Sequence, residues 1–188
     1  ILPIGNGATG AREASAATIK TLAKQAILLD AETGTVLLQK NADQRVPPSS
    51  MSKMMTVYML FERLKEGSLN MDDTFLISKK AWKKGGSKMW VEVGKRIRIR
   101  DLLRGIIVQS GNDPSIAFAE GLAGDETSFA ELVNAKAAEI GLNNSTFKNA
   151  SGWPEEGHMM TVRDIANLSL LTINNFPELY KIYSEKSF

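Results

Sequence analysis

Blocks of apolar and polar residues along the chain predict a mixture of short strands and longer helices. Two short apolar runs, at 25–30 and 35–40, flank a turn in which Gly34 is suited to a positive φ, so they predict a β-hairpin. Both runs are almost continuously apolar, which is typical of strands covered on both faces. Residues 51–66 are apolar almost all round, which predicts a central buried helix ended by Gly67.

The second half of the chain is predicted to be mainly helical. Before it, residues 74–77 predict a short strand, and the alternating segments 91–94 and 96–100 predict an exposed hairpin. Asp113 and Pro114 are interpreted as the N-cap and first residue of a helix. The predicted helices span residues 102–109, 113–122, 127–140, 161–173 and 177–183.

Composition narrows the class of protein. The chain has 188 residues, 43% of them hydrophobic, which is enough for one domain with one sizeable core. Its 23 basic and 21 acidic residues nearly balance, so no nucleic-acid partner is expected. The absence of cysteine and the presence of a single histidine, His158, exclude disulfides and His-rich or Cys-based metal sites. No cofactor or metal is therefore expected.

One stretch is strongly basic. Residues 81–88 are interpreted as a glycine-containing loop, and five lysines lie in or beside it. Such a cluster is typical of a solvated face, and attraction of an anionic polymer is the alternative. The lysines are Lys79, Lys80, Lys83, Lys84 and Lys88.

The first candidate for chemistry stands where the central helix begins. Residues 47–53 read Pro-Pro-Ser-Ser-Met-Ser-Lys, so Ser50 is expected at a helix N-terminus with Lys53 one turn above it. A serine hydroxyl needs a nearby base to act as a nucleophile, and a neutral amine can be that base. Burial and the positive end of the helix dipole both disfavour a protonated lysine here. This S-x-x-K pattern therefore indicates a catalytic pair.

The second candidate is the sequence Ser110-Gly111-Asn112, which falls between two predicted helices. There it can direct a hydroxyl toward proton transfer and an amide toward a substrate peptide. The pattern occurs a second time at Ser68-Leu69-Asn70, which is interpreted as a plain helix-end turn. S-x-x-K followed by S-x-N is the order found in penicillin-binding proteins and class A β-lactamases.

Longer segments around these motifs resemble the low-molecular-mass penicillin-binding proteins, and in particular the serine D-alanyl-D-alanine carboxypeptidases of Gram-negative bacteria. The resemblance runs from about residue 25 to residue 188. It implies an α/β (α+β) fold like that of serine β-lactamases and transpeptidases. In that fold an antiparallel sheet flanked by helices packs beside an all-helical lobe, with the site between them. The segments that carry it are 46–56 (VPPSSMSKMMT), 85–87 (GGS), 107–113 (IVQSGND) and 149–154 (NASGWP).

The resemblance also implies a role for each residue of the two motifs. Ser50 corresponds to the nucleophile and Lys53 to its general base. Ser110 corresponds to the proton-relay serine, and Asn112 to the residue that holds the substrate peptide. The backbone N–H of Ser50 is expected to supply half of the oxyanion hole.

The activity implied is removal of the terminal D-alanine from peptidoglycan pentapeptides through an acyl-enzyme. The expected partners are peptidoglycan stem peptides and, as covalent inhibitors, β-lactam antibiotics. The expected location is the periplasm, with attachment to the inner membrane by a C-terminal anchor that is absent from this chain.

One motif of the family is missing. No Lys-Thr-Gly or Lys-Ser-Gly occurs in the 188 residues, although the family has that motif on a later strand. Residues 25–188 are therefore expected to be a partial penicillin-binding catalytic domain. It would lack its C-terminal strands and be completed by the missing C-terminal segment of the same protein. Residues 1–24 are expected to be a partly flexible N-terminal lead.

Parts of the sequence are also compatible with three other functions. A class A β-lactamase would use a deacylating glutamate, for which Glu155 and Glu156 lie in a suitable loop. A non-catalytic fragment that binds β-lactams or muropeptides would be inert for lack of the third motif. A Ser-His hydrolase would depend on His158, which is interpreted instead as a loop histidine at the rim of the cleft.

Overall fold

The structure, a computed structural model, describes residues 20–188 and contains seven α-helices and four short strands within them. The predicted N-terminal lead, residues 1–24, lies mostly outside the described residues. In chain order the elements are β1 (Ala26–Leu29), β2 (Val36–Lys40), α1 (Lys53–Lys65), β3 (Thr74–Leu76), α2 (Lys79–Lys83), β4 (Arg96–Arg98), α3 (Ile99–Ile107), α4 (Asn112–Ala123), α5 (Glu126–Glu139), α6 (Val162–Asn175) and α7 (Pro177–Tyr180).

Strands β1 and β2 form the predicted antiparallel hairpin. Leu28 pairs with Leu38, and Gly34 in the turn has φ +71°. The expectation that both faces of these strands are covered is wrong for residues 20–188. Helix α6 packs against β1, but Leu28, Val36 and Leu37 are 42%, 40% and 57% exposed. These three side chains are therefore not packed into a core within the part of the chain that the structure describes.

Helix α1 is the central helix that the apolar pattern predicts. Residues 55–61 of this helix are all buried, so it lies inside the helical lobe rather than on its surface. Full burial of each large apolar side chain contributes about 1.5–3 kcal/mol. The helix begins at Lys53, and Ser49–Ser52 forms a 3-10 turn before it, where a single helix from residue 51 was predicted. It ends as predicted, because Gly67 takes φ +74° just beyond it.

The helical lobe packs α3, α4, α5 and α6 around α1. Aromatic rings stack edge-on through its core, with 5.8 Å between the centres of Phe118 and Phe129 and 5.6 Å between those of Phe61 and Phe176. Such pairs add stability beyond the apolar area that they bury. Within residues 20–188 no helix is both long enough and apolar enough to cross a membrane.

The second sheet corrects the predicted hairpin at residues 91–100. Strand β4 pairs antiparallel with β3, so Ile97 faces Phe75 rather than a residue of 91–94. Phe75 and Ile97 both pack against the cluster around Ile77, and this tertiary contact prevails over the local alternating pattern. The basic segment is also partly helical, because α2 covers Lys79–Lys83. Ser78 is its N-cap, and the Ser78 hydroxyl accepts a hydrogen bond from Ala81 N at 3.0 Å.

Candidate active site

A cleft of about 250 Å³ lies where three separate segments meet. These are the 3-10 turn before α1, the loop between α2 and β4, and the loop between α5 and α6. The start of α4 forms its floor. The residues that line it are Ser49, Ser50, Gly86, Ser87, Asn112, Ser151, Gly152, Trp153 and Pro154.

Ser50 and Lys53 are in hydrogen-bond contact at one end of this cleft. Lys53 Nζ lies 2.9 Å from Ser50 Oγ. The 3-10 turn brings the two side chains together across three residues, with Ser50 exposed to the cleft and Lys53 only 4% exposed. Burial lowers the pKa of the Lys53 ammonium to about 8, because the charged form loses its hydration. A much larger fraction of Lys53 is therefore neutral near pH 7 than of an exposed lysine.

The backbone just before Ser50 is fixed by a very close contact. Ser49 has φ +50°, a left-handed conformation that a non-glycine residue rarely adopts. Its carbonyl oxygen approaches Gly152, where an added Cβ would lie only 1.8 Å from it. Gly152 itself has φ +76°. Two left-handed residues on different segments thus pack against each other directly beside Ser50.

The loop that contributes Gly152 is held by one side chain. Asn149 Oδ1 accepts hydrogen bonds from the backbone N–H groups of Ser151, Gly152 and Trp153, at 3.2, 2.9 and 3.1 Å. From the other side, Thr56 Oγ1 on α1 donates to the carbonyl oxygen of Ala150 at 2.7 Å. This wall of the cleft, residues 149–154, is tied to the helix that carries Lys53.

Asn112 is positioned by the opposite wall. Its Nδ2 donates to Gly85 O at 2.8 Å, and its backbone N–H donates to Ser87 O at 2.7 Å. Gly86 between them has φ +79°, and an added Cβ there would lie 2.7 Å from Asn112 Nδ2. The side chain of Asn112 is therefore held in the cleft by the glycine-containing loop.

Ser110 is the sequence-predicted site residue that the structure connects least. It is half-buried with φ +53°, but it is not among the residues that line the cleft. Within residues 20–188, no hydrogen bond joins Ser110 to Lys53. Its strained backbone lies at the junction of α3 and α4, two residues before Asn112.

Asp113 does not cap α4 as the sequence predicted. The helix begins at Asn112, with Gly111 as its N-cap. The Asp113 carboxylate is fully buried and instead accepts hydrogen bonds from Met89 N at 2.8 Å and Trp90 N at 3.0 Å. The fully buried carboxylate needs hydrogen-bond donors, and these two N–H groups supply them, which explains why it turns away from its own helix.

The residues on which the alternative functions depended lie outside the cleft. His158 is 2% exposed rather than at the rim, and its Nδ1 accepts a hydrogen bond from Lys148 N at 3.4 Å. Glu155 accepts from Asn149 Nδ2 at 3.0 Å, and Glu156 is exposed. Neither glutamate lines the cleft. Among residues 20–188, no group of three or more metal-binding side chains is arranged around a possible ion.

Sequence reasoning assigned no role to several residues that form the cleft. Gly86, Ser87 and residues 151–154 lay in segments that carried the family resemblance, but their contacts with Asn112 and Ser49 are long-range. The available signal was a glycine in each segment, Gly86 and Gly152, at a position that requires a positive φ.

Comparison with known proteins gives a consistent result. The family model described as D-alanyl-D-alanine carboxypeptidase, Peptidase S11, matches residues 11–188. D-alanyl-D-alanine carboxypeptidase DacF of Bacillus subtilis is 42% identical over 144 residues, which are 77% of this chain and 37% of that protein.

Solved structures share the fold. The D-alanyl-D-alanine carboxypeptidase DacD from Francisella tularensis matches 96% of this chain and 45% of its own, with 39% identity and a TM-score of 0.89. Penicillin-binding protein D2 from Listeria monocytogenes in the ampicillin-bound form matches 87% of this chain and 66% of its own, with 26% identity and a TM-score of 0.77. The predicted fold class is confirmed. The chain spans about two fifths of the length of these carboxypeptidases.

Proposed function

The chain belongs to the Peptidase S11 family of D-alanyl-D-alanine carboxypeptidases, and from that membership we propose that the whole protein removes the terminal D-alanine of peptidoglycan pentapeptides. The observation that carries the proposal is the 2.9 Å contact between Ser50 Oγ and Lys53 Nζ at the mouth of a cleft. A serine hydroxyl beside a neutral amine is an activated nucleophile.

In the acylation step, Lys53 takes the hydroxyl proton as Ser50 Oγ attacks the carbonyl carbon between the two D-alanines. The bond between the carbonyl carbon and the amide nitrogen then breaks as that nitrogen accepts a proton, and free D-alanine departs. The shortened peptide remains on Ser50 as an ester. In the second step water attacks the ester carbonyl carbon while Lys53 takes one of its protons. The C–O bond to Ser50 then breaks, Ser50 Oγ takes the proton back, and the shortened peptide leaves as a carboxylic acid. The net reaction consumes one water and releases one D-alanine.

The protonation state of Lys53 sets how well the pair works. Because burial lowers its pKa to about 8, roughly one tenth of Lys53 is neutral at pH 7. An exposed lysine with the usual pKa of 10.5 would be neutral about 300-fold less often. The buried position of Lys53 thus makes a lysine usable as a general base.

Asn112 and Ser110 complete the machinery. The bond from Asn112 Nδ2 to Gly85 O leaves Oδ1 to accept the N–H of a substrate peptide. Proton relay between Lys53 and the leaving nitrogen is assigned to Ser110 from its place in the S-x-N motif of the family. The backbone N–H of Ser50 donates to the developing oxyanion.

Several elements of the complete site lie beyond what these residues supply. The 188 residues contain no Lys-Thr-Gly, and in the family pattern a motif of that kind would bind the substrate carboxylate and add the second oxyanion donor. We propose that β-lactams acylate the same serine; the Listeria relative is a penicillin-binding protein in an ampicillin-bound form. We also propose a periplasmic location, where peptidoglycan lies, with attachment to the inner membrane.

Intact-mass spectrometry after penicillin treatment tests the assignment of Ser50. The intact protein is expected to gain one drug molecule, and Ser50→Ala is expected to gain none. Ser68→Ala is the matched control, because Ser68 begins the second S-x-N sequence and is exposed. An adduct that persists in Ser50→Ala would overturn the assignment. Release of D-alanine from a D-Ala-D-Ala peptide separates an enzyme from a protein that only binds.

A further inference from the structure

Helix α2 and the loop that follows it present tryptophan and lysine side chains on the surface beside the cleft. Trp90 is 80% exposed and Trp82 is 43% exposed. Lys88 Nζ lies 5.2 Å from the centre of the Trp90 ring and 5.8 Å from that of Trp82, so one ammonium group is flanked by two indoles. The lysine–tryptophan surface consists of Lys79, Trp82, Lys83, Lys84, Lys88 and Trp90.

The exposure of Trp90 is fixed by the backbone around it. Its φ is +62°, a conformation that is costly for a bulky residue and persists only when the surroundings impose it. The buried Asp113 carboxylate accepts the N–H groups of Met89 and Trp90, and the next residue, Val91, is 8% exposed. The chain is thus anchored on both sides of an indole that is held in solvent. A large apolar ring held outward in this way is typical of a binding surface.

The lysines of this surface are largely unpaired. Lys80, beside it, forms an ion pair of 2.7 Å with Glu126. Within residues 20–188, no carboxylate lies within 4.0 Å of Lys79, Lys83, Lys84 or Lys88. Four unpaired positive charges on one small surface are a large local excess in a chain whose net charge is +2. They attract a polyanion and not a cation.

This surface is continuous with the cleft. Lys84 Nζ lies 4.3 Å from the centre of the Trp153 ring, and Trp153 lines the cleft. The residues immediately after Lys84 form the cleft wall, since Gly85 O and Ser87 O are the acceptors for Asn112. A molecule that extends from the cleft past Trp153 would therefore meet the lysines and the two outer indoles.

We propose that the lysine–tryptophan surface binds the polymer to which the substrate peptide is attached, a polysaccharide whose peptide branches carry carboxylates. The flat C–H faces of pyranose rings would stack on Trp82 and Trp90, and the lysines would pair with carboxylates of the polymer. The inference rests on the proposed function, which gives the cleft a peptide joined to a polymer. Binding of the polymer by this surface lets the protein select peptides attached to the polymer over free peptides.

Tryptophan and lysine are also typical of surfaces that contact anionic lipid headgroups. Continuity with the cleft favours the polymer. A peptide in the cleft can contact Trp153 while the polymer that carries it contacts Lys84 and the residues beyond, so one flexible molecule can occupy both places. Binding to lipid is therefore the competing outcome of the experiment and not part of the proposal.

The test is cosedimentation of the intact protein with purified insoluble peptidoglycan, in a Ser50→Ala background that prevents turnover. Trp90→Ala and Trp82→Ala are each expected to weaken binding about 5- to 10-fold, as loss of one aromatic contact does. Lys79→Gln with Lys83→Gln is expected to weaken it and to flatten its salt dependence. The matched controls are Tyr180→Ala and Lys95→Gln, an exposed aromatic residue and a lysine outside this surface.

A second measurement uses wild-type Ser50. Trp90→Ala should release D-alanine from a short soluble peptide at the wild-type rate and from peptidoglycan more slowly. Unchanged peptidoglycan binding in both tryptophan variants would overturn the inference. So would binding of these residues to anionic phospholipid vesicles but not to peptidoglycan. If the protein sediments with peptidoglycan through this surface but releases no D-alanine from any peptide, the proposed function fails and the binding surface remains.

Discussion

Two glycines with the same backbone conformation show how differently the hairpin and the cleft are built. Gly34 in the β1–β2 hairpin has φ +71° and Gly152 in the cleft wall has φ +76°. No atom lies within 4 Å of a Cβ added at Gly34, whereas one added at Gly152 would lie 1.8 Å from Ser49 O. The hairpin turn depends on local conformation alone. The cleft depends on a contact between segments about a hundred residues apart.

The same contrast holds for the side chains that support each turn. Asp30 Oδ1 accepts from the backbone N–H groups of Glu32 and Thr33, at 3.1 and 2.7 Å, in an exposed turn. Asn149 Oδ1 accepts from three backbone N–H groups in the cleft wall, of which two belong to the buried residues Ser151 and Gly152. Water can replace Asp30, but it has little access to the groups that Asn149 serves.

The largest difference is expected between two lysines. Replacement of the buried Lys53 in Lys53→Met should lower the rate of β-lactam acylation by about 100- to 10,000-fold, since a general base contributes that much. Lys40→Met, which removes an exposed lysine from β2, should leave the rate unchanged. Stopped-flow acylation with a fluorescent penicillin measures both, and thermal unfolding verifies that both variants fold.

The pH dependence sharpens the same prediction. Because the folded pKa of Lys53 is lowered to about 8, its neutral fraction rises steeply as the pH approaches 8, is about one half there, and levels off above about pH 9. The acylation rate of the wild type should follow that fraction, and the residual rate of Lys53→Met should not. A wild-type rate that is flat between pH 6 and 9 would remove Lys53 as the general base.

The two glycines provide the second prediction. Gly34→Ala should cost only about 1 kcal/mol, the price of a left-handed alanine. Gly152→Ala should cost about 4 kcal/mol or more, because the methyl group cannot fit beside Ser49 O without moving the backbone before Ser50. Denaturant unfolding gives both values. Similar losses in the two variants would show that the cleft wall yields as easily as the turn.

The third prediction concerns the two side chains that support the turns, Asn149 in the cleft wall and Asp30 in the hairpin. Asn149→Ala should destabilise the protein by about 2–3 kcal/mol, because it leaves N–H groups in the cleft wall without an acceptor. Asp30→Ala should have a smaller effect, since water reaches the exposed turn. Asn149→Asp combined with Glu155→Gln is the control, because it keeps the acceptor without placing two carboxylates where Asn149 Nδ2 and Glu155 now form a hydrogen bond. Stability is measured by denaturant unfolding, and equal losses in the two alanine variants would contradict the contrast.

The hairpin was predictable from sequence and the cleft only in part, for the same physical reason. Gly34 between two apolar runs and the buried face of α1 are local signals. Ser50 and Lys53 were found because three residues separate them. The contact of Gly152 with Ser49, the turn of Asp113 toward Met89, and the pairing of β4 with β3 all depend on residues distant in sequence. No periodicity or spacing encodes them.

The smallest expected effect concerns two titratable groups, Asp30 in the hairpin turn and His158 in the loop between α5 and α6. The pKa shifts of these two groups affect stability in different pH ranges. Burial lowers the pKa of His158 below its usual 6.5, although nearby Glu155 acts in the opposite direction and Lys148 in the same one. As the pH falls below 6.5 the unfolded chain therefore binds more protons than the folded protein, and stability falls. Hydrogen bonds from Thr33 lower the pKa of Asp30 below 3.8, so its contribution is lost only as the pH falls below that value. His158→Asn should flatten the decline in melting temperature between pH 7 and pH 5, and Asp30→Asn should not alter that range. If the decline is as steep in His158→Asn as in the wild type, His158 is not the group whose burial makes stability depend on pH in this range.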